Sequence, residues 1–208
     1  MHKTDEQEPS FHYIATRKEG RAIIDAHDRF WVSNCGCREG GPGCKRSRMD
    51  LCLFFDTAEM QGTGSDFKEV DREFVEGILK EAAEKHLVTR PFRYEADRTR
   101  DQGICFCCDD CCGYFKSDEW GCDPGKYIEE TDMEACTQCG DCVEVCYFKA
   151  RKMIDGKLVI NQEGYYFLKD GSTNYGNAPK GYGCYGCAGC GLCLDVCPED
   201  CIEMVERT

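Results

Sequence analysis

Long apolar runs and secretion signals are missing from this sequence. No stretch approaches the ~18 consecutive apolar residues that a membrane-spanning helix requires. The first residues, MHKTDEQEPS, are polar and acidic and contain no apolar segment of the kind that directs secretion. These absences disfavour a membrane protein and a secreted protein, and we expect a cytoplasmic one.

The common catalytic motifs are missing as well. The sequence contains no phosphate-binding loop, no dinucleotide fingerprint and no G-x-S-x-G turn. Its four histidines show no metal-ligand spacing; they are His2, His12, His27 and His86. No residue is therefore predicted to be catalytic.

Positive charge is in short supply. The chain has 39 acidic residues against 26 lysines and arginines, which gives a formal net charge of −13. Such a surface repels a phosphate backbone, so nucleic acid is excluded as an expected partner. The same charge would guide docking onto basic patches of redox partner proteins.

Cysteine, in contrast, is abundant, at 20 of 208 residues, while large aliphatic residues are few enough to predict a thin apolar core. So many cysteines indicate disulfides, zinc sites or iron–sulfur clusters. Disulfides require an oxidising compartment, which the missing secretion signal disfavours. Exposed thiolates are oxidised irreversibly in oxygen, so their abundance indicates reduced thiols in an anaerobe.

A run of four cysteines occurs twice in the last third of the sequence. Its spacing is Cys-x2-Cys-x2-Cys-x3-Cys, and the eight positions are Cys136, Cys139, Cys142, Cys146, Cys187, Cys190, Cys193 and Cys197. An iron–sulfur cubane needs four thiolates that surround it, and one Cys-x2-Cys-x2-Cys run supplies three. Zinc sites rarely use this spacing. The repeat therefore predicts two [4Fe–4S] clusters and a role in electron transfer.

Glycines and crossed ligands complete this prediction. Gly140 and Gly191 follow the middle cysteines, and a positive φ at these positions would let the backbone approach the inorganic sulfides. The fourth cysteine of each run points away, and in a duplicated module it reaches the other cluster. We therefore assign one cluster to Cys136, Cys139, Cys142 and Cys197. The other cluster is assigned to Cys187, Cys190, Cys193 and Cys146.

This part of the sequence resembles the bacterial 2[4Fe–4S] ferredoxins. Cys197-Pro198 matches the Cys-Pro ending of that family, Tyr127–Glu129 is similar to its first strand, and Ile202–Val205 is similar to its last. The resemblance implies a βαββαβ module over residues 126–208, in which the first and last strands pair antiparallel.

The sequence also departs from that family. Tyr147 follows Cys146 where the family has proline, and residues 162–182 form a longer insertion, predicted as a surface loop. Before the insertion, Lys152 to Ile160 is predicted to be a hairpin that turns at Asp155-Gly156. Cys184 and Cys201 are additional.

Apolar residues at helical spacing predict two helices before the repeat. One covers Arg17 to Phe30, and the other covers Asp71 to Val88 with Asp71 as its N-cap. The locally basic stretch from Arg90 to Arg100 is predicted to be a solvated loop, or at most a docking patch.

The predicted fold class is therefore α+β with two domains. A mainly helical cysteine-rich domain, residues 1–117, precedes the ferredoxin-type domain, residues 126–208. The composition changes between Asp118 and Gly125, which we predict to be the linker.

Nine further cysteines lie in two groups within the first domain: Cys35, Cys37, Cys44 and Cys52, then Cys105, Cys107, Cys108, Cys111 and Cys112. With the helix between them, they resemble the N-terminal half of larger cysteine-rich ferredoxin-like proteins of anaerobes, a resemblance that brings no ligand assignment. Adjacent cysteines project in different directions, which favours two sites or one larger cluster. We predict one or two further iron–sulfur clusters. A zinc site with free thiols, or unliganded redox-active thiols, are the alternatives.

The ligands of such an N-terminal cluster stay open at this point. The simplest set is Cys35, Cys37, Cys44 and Cys52, and a mixed set drawing on Cys105 to Cys112 is the alternative. Cys122, Cys184 and Cys201 are single cysteines, predicted to be buried and inert. Cys184, three residues before Cys187, could also replace it as a ligand.

These patterns predict an electron carrier or wire of anaerobic metabolism, similar to a polyferredoxin. Three alternatives share the same cysteines. The chain could be the iron–sulfur subunit of an oxidoreductase, or an enzyme whose N-terminal cluster binds substrate. It could also be a module in which zinc folds an N-terminal docking domain.

Overall fold

The computed structural model describes residues 9–58, 64–116, 122–162 and 186–207, together with the backbone of two strands at 165–167 and 173–175. These residues combine helices with several small antiparallel sheets, which agrees with the predicted α+β class. Within the described ranges, every helix is too short or too polar to span a lipid bilayer.

Helices and strands alternate in the first part of the chain. The helices are α1 (Arg17–Asp25), α2 (Gly36–Glu39), α3 (Arg72–Glu84) and α4 (Gly113–Lys116). The strands are β1 (Phe30–Ser33), β2 (Cys52–Phe54), β3 (Lys68–Val70), β4 (Val88–Arg93) and β5 (Asp101–Cys107).

A five-stranded antiparallel sheet organises this part, so the prediction of a mainly helical domain is wrong. The strand order is β3-β1-β2-β5-β4. Its strands escaped prediction because they are short and because cysteine and arginine occupy inward positions where aliphatic residues would show the alternation. Pro91 is accommodated because β4 is last in the strand order, and on its outer side Pro91 accepts a hydrogen bond from the backbone N–H of Tyr13 without having to donate one.

The predicted solvated loop at Arg90 to Arg100 is also wrong at its start. Residues 90–93 belong to β4, and the side chain of Arg90 is only 2% exposed. The basic residues of this stretch predicted exposure to solvent, whereas strand pairing places the Arg90 side chain in the interior.

The two predicted helices begin where capping residues place them. Thr16 and Glu19 form a capping box at α1, and Asp71 accepts a hydrogen bond of 2.8 Å from the backbone N–H of Phe74 at α3. Both helices end earlier than predicted. After α3, His86 adopts a left-handed φ of 51°, which turns the chain into β4.

The second part of the chain begins with β6 (Tyr127–Thr131), α5 (Asp141–Glu144), β7 (Arg151–Ile154) and β8 (Lys157–Ile160). It continues with β9 (Tyr165–Phe167), β10 (Thr173–Tyr175), α6 (Leu192–Asp195) and β11 (Ile202–Glu206). The pairs β6–β11, β7–β8 and β9–β10 are antiparallel. The predicted hairpin and the predicted pairing of first and last strands are confirmed. The predicted surface loop instead contains the β9–β10 pair.

The cysteine repeat is also a repeat of backbone conformation. Gly140 and Gly191 have φ of 90° and 76°, which confirms the positive φ predicted for both. Each is the residue before a short helix, α5 or α6. The two halves therefore wrap the backbone around their cysteines in the same way.

The two parts of the chain share one core. Leu53, Ile78 and Ile104 from the sheet and α3 belong to the same buried cluster as Phe148 and Leu192. Backbone hydrogen bonds and ion pairs reinforce the contact, including a 2.7 Å pair between Arg17 of α1 and Asp195 of α6. The predicted division into two domains stays a prediction, and most of its proposed linker lies outside the described residues.

Candidate metal centres

Four cysteines from the two runs meet at one cavity. It measures about 330 Å³ including its mouth, and the cysteines of the runs that line it are Cys136, Cys139, Cys142 and Cys197. Cys136 and Cys139 come from the loop that leads into α5, Cys142 lies within α5, and Cys197 comes from the turn after α6. This donor set fits an iron–sulfur cubane, which takes one thiolate at each iron.

A second cavity has the reciprocal composition. It measures about 350 Å³ and is lined by Cys146, Cys187, Cys190 and Cys193. Three of these cysteines come from the second run and the fourth from the first. These four thiols likewise fit a cubane.

Two thiols at the second cavity, Cys190 and Cys193, hold their protons strongly. Burial raises the pKa of Cys193 to about 12, and burial likewise raises the pKa of Cys190. A buried thiolate is costly without a cation, so these sulfurs ionise when a metal takes the place of the proton.

A buried arginine lies between the two cavities. Arg151 is 3% exposed, and its Nη1 donates to Cys142 Sγ across 3.3 Å. Its Nη2 donates to the buried carboxylate of Glu129 and to Thr131 Oγ1. Negative charge on Cys193, at the other cavity, also acts on this guanidinium. Arg151 can therefore compensate anionic centres on both sides.

Two of the three single cysteines, Cys201 and Cys122, lie in the described part of the chain. Cys201 Sγ is 3.5 Å from Cys197 Sγ, and Cys201 lines the first cavity. Cys122 is half-buried near Arg90, and burial raises its pKa to about 11, as expected of an inert thiol. Cys184 lies outside the described residues.

In the first part of the chain, strand pairing aligns thiols on one face of the sheet. Cys52 of β2 lies opposite Cys105 of β5, which lies opposite Arg90 of β4. Cys107 shares this face because it is two residues from Cys105. The sequence places these residues far apart, and the sheet register brings them into one row.

Six thiols then close into a ring, here called the six-thiol group. Each thiol has the next as a side-chain neighbour in the order Cys35, Cys37, Cys112, Cys107, Cys105 and Cys52, and Cys52 returns to Cys35. The Cys52 and Cys105 sulfurs lie 3.9 Å apart. Hydrogen bonds with Cys112 and Cys35 lower the pKa of Cys37 to about 2. Hydrogen bonds with Cys107 and Cys37 raise the pKa of Cys112. One thiolate is thus stabilised while its neighbours keep their protons, which a metal would displace.

Arg90 supplies positive charge to the six-thiol group. Its Nη1 lies 3.3 Å from Cys112 Sγ and 3.7 Å from Cys107 Sγ, and its guanidinium stacks 4.7 Å from the centre of the Tyr114 ring. Its Nε and Nη2 are buried without a hydrogen-bond partner among the described residues. A buried cation with so few hydrogen-bond acceptors around it indicates an anionic neighbour.

The remaining three cysteines form a separate cluster, here called the three-thiol group. Cys44, Cys108 and Cys111 have sulfurs that all lie within 4.8 Å of one another. Cys44 therefore does not lie with Cys35, Cys37 and Cys52, the other members of the simplest ligand set predicted from sequence. Its neighbours come from the second group of cysteines. The mixed set predicted as the alternative is the one that the contacts favour.

Aromatic side chains fill the space between the N-terminal thiols and the second cavity. Phe115 packs against Tyr147 and Phe148, with ring centres 6.0 and 5.2 Å apart. Burial raises the pKa of the Tyr147 hydroxyl, which lies near both Cys108 and Cys190. Tyr147, which replaces the proline of the ferredoxins, thus connects two groups of cysteines.

Sequence reasoning missed the three buried arginines, which are Arg38, Arg90 and Arg151. Each lies at a thiol in the structure. The available signal was weak: an arginine that alternates with apolar residues or follows a cysteine within one or two positions.

Comparison with known proteins supports the assignment of the C-terminal part. A family model described as a 4Fe-4S dicluster domain matches residues 135–202, which span both cysteine runs. Searches of curated proteins and of solved structures returned no match. Residues 135–202 therefore contain a ferredoxin-type iron–sulfur domain.

Proposed function

We propose that this chain transfers electrons through two [4Fe–4S] clusters in its C-terminal part. The observation that carries the proposal is the pair of cavities, each lined by three cysteines of one run and one of the other. An iron–sulfur cluster changes its charge by one electron without needing a bound substrate. We assign the ligands as Cys136, Cys139, Cys142 and Cys197 for one cluster, and Cys187, Cys190, Cys193 and Cys146 for the other.

The order of elements supports the same proposal. Strand β6, helix α5, strands β7 and β8, helix α6 and strand β11 follow the βαββαβ order, with β9 and β10 inserted before α6. Because β6 pairs with β11, the chain ends of this module meet. The two cysteine runs then face each other, as crossed ligation requires.

The two clusters lie close enough to share a buried environment. Cys142 and Cys193, ligands of different clusters, belong to one buried cluster of side chains. Arg151 acts on both. Electrons can therefore pass between clusters inside the module, and partners can meet it at either end.

We place a third iron–sulfur cluster in the six-thiol group. Two nitrogens of the buried Arg90 guanidinium have no hydrogen-bond partner in the described part of the chain, which indicates negative charge at that position, and an iron–sulfur cluster would supply it. The aromatic cluster of Tyr114, Phe115, Tyr147 and Phe148 lies between these thiols and the second cavity. The protein would then work as a wire between an N-terminal entry point and a C-terminal exit, or the reverse.

The proposed partners are redox proteins that present a basic surface. A net charge of −13 would steer such partners, and cluster charge would add to it. The cysteines resolved in the described residues are free thiols, which suits a reducing compartment and an anaerobic metabolism.

Iron and sulfide analysis tests the proposal directly. Anaerobically purified full-length protein should be brown, should bleach with dithionite, and should contain about four iron and four sulfide per cubane, hence about twelve of each for three clusters. Colourless protein, or protein without acid-labile sulfide, would overturn it.

Paired cysteine variants test the crossed ligation. Cys136→Ser with Cys197→Ser removes two ligands of one cluster, so about four iron should be lost and the other cluster kept. Cys136→Ser with Cys146→Ser is the matched control, since it removes one ligand from each cluster and should damage both. The reverse pattern would show that each run serves a single cluster.

A further inference from the structure

The sulfurs of the three-thiol group lie close enough together to bind a single ion. Cys44 Sγ lies 3.5 Å from Cys108 Sγ, which lies 3.6 Å from Cys111 Sγ. A tetrahedral ion with metal–sulfur bonds of about 2.3 Å holds its sulfurs about 3.8 Å apart. Cubane thiolates stand farther apart because each binds its own iron. The spacing therefore suits a single ion.

The local sequence explains this spacing. Cys108 and Cys111 are the ends of a Cys-x2-Cys turn that follows β5, the spacing that zinc sites use. Cys44 arrives from the other side after Gly43, whose φ of 88° bends the chain. A hydrogen bond of 2.9 Å from the backbone N–H of Lys45 to Asp110 Oδ2 fastens the two loops together.

Burial raises the pKa of the Cys108 and Cys111 thiols, and hydrogen-bond donors around the sulfurs act in the opposite direction. The backbone N–H groups of Arg46 and Ser47 donate to Cys44, and that of Asp110 donates to Cys108. The guanidinium of Arg38 lies beside Cys111, and its Nη1 and Nη2 donate to the backbone carbonyls of Arg48 and Phe106. Arg38 is 1% exposed, and its Nε has no hydrogen-bond partner among the described residues. A buried cation beside three sulfurs is stabilised by negative charge on them.

We propose that Cys44, Cys108 and Cys111 bind one zinc ion, separate from the iron–sulfur clusters. Thiolate ligands select zinc over harder divalent ions. The described residues bring no fourth cysteine, histidine or carboxylate into this group. Three protein ligands leave a fourth position for water or a small molecule, as in zinc sites that act as Lewis acids.

Zinc content is measured on full-length protein purified anaerobically from medium that contains both iron and zinc. The expected result is about one zinc per chain, in addition to iron and sulfide in equal amounts. X-ray absorption at the zinc edge should show three sulfurs at about 2.3 Å and one oxygen or nitrogen at about 2.0–2.2 Å. Absence of zinc, or four sulfurs around it, would overturn the proposal.

Single variants locate the ion. Cys108→Ser should lose the zinc and keep the iron, the sulfide and the reduced-cluster resonance signals. Cys44→Ser, at a half-buried and more tolerant position, should do the same. Cys122→Ser, a cysteine outside the group, should keep both metals. Loss of about four iron with four sulfide in Cys108→Ser would instead make this thiol a cluster ligand and overturn the proposal.

The same samples separate this proposal from the electron-transfer function. Protein that contains zinc without iron and sulfide would refute the clusters and leave the zinc site standing. Protein that contains iron and sulfide in equal amounts without zinc would do the opposite.

Discussion

Arg151 Nη1 donates to Cys142 Sγ across 3.3 Å, from a guanidinium that is almost fully buried. Reduction adds negative charge to an iron–sulfur cluster, and a cation at a ligand sulfur stabilises the reduced form. This contact therefore raises the reduction potential of the cluster that Cys142 would hold.

Replacing this arginine should lower that potential. In Arg151→Gln the charge is lost while a polar side chain remains, and a charged hydrogen bond of about 1.5 kcal/mol corresponds to about 60 mV for one electron. Film voltammetry or a resonance-monitored redox titration measures the change. Lys152→Gln removes an exposed charge from the same strand and should shift the potential much less. Equal shifts in the two variants would contradict the assigned role.

The buried pair of Arg151 and Glu129 predicts a strong effect on stability. Arg151→Met leaves the carboxylate of Glu129 buried without its cation, which should cost about 3–5 kcal/mol. The double variant Arg151→Met with Glu129→Leu removes both charges and should recover most of the loss. The stabilities are compared under anaerobic conditions as the concentration of guanidinium chloride at which half of the cluster absorbance is lost. A double variant that is as unstable as Arg151→Met would argue against the loss of this ion pair as the cause of the destabilisation.

Arg90 should be needed for the N-terminal cluster. In Arg90→Met the anionic cluster of the six-thiol group loses its buried counter-charge, so purified protein should contain about four fewer iron and sulfide per chain. The exposed Arg100→Met is the control and should keep the full content. An unchanged iron count in Arg90→Met would remove the support that Arg90 lends to a cluster at this position.

His12 should make stability depend on pH. Burial and the nearby charge of Arg90 lower its pKa to about 2, and its ring packs 4.7 Å from Phe11 and 5.9 Å from Phe92. Below about pH 6.5 the unfolded chain binds a proton at His12 that the folded chain does not. The free energy of unfolding should therefore fall by up to about 1.4 kcal/mol per pH unit between pH 6.5 and 5.

The variant His12→Phe isolates this contribution. It keeps an aromatic ring in the same place and removes the proton, so the slope of stability against pH should become smaller by up to that amount. Denaturant midpoints at pH 7.5, 6.5, 6.0 and 5.5 provide the slopes. Parallel curves for the two proteins would show that His12 binds a proton in the folded protein as readily as in the unfolded chain.

Capping and turn residues made the local elements of this protein predictable. Asp71 marks the start of α3, and Asp155-Gly156 marks the hairpin turn, where both residues adopt positive φ. In each case the signal lies within a few residues of the element. The end of α3 was harder, because tertiary packing of Leu87 and Val88 into the core, rather than helix propensity, decides where the chain leaves the helix.

The sequence by itself determined the ferredoxin-type part of this protein. Its two cysteine runs and the glycines within them are local patterns, and a chain that surrounds a cubane needs those spacings. The family match over residues 135–202 agrees with that prediction.

Only the tertiary structure decided how the nine N-terminal cysteines divide. The partners of Cys52 and Cys44 stand more than fifty positions later in the chain, at Cys105 and Cys108. Sheet register and loop contacts bring them together, and neither follows from spacing along the sequence. The buried arginines became visible for the same reason, since the environment of a charge depends on the whole fold.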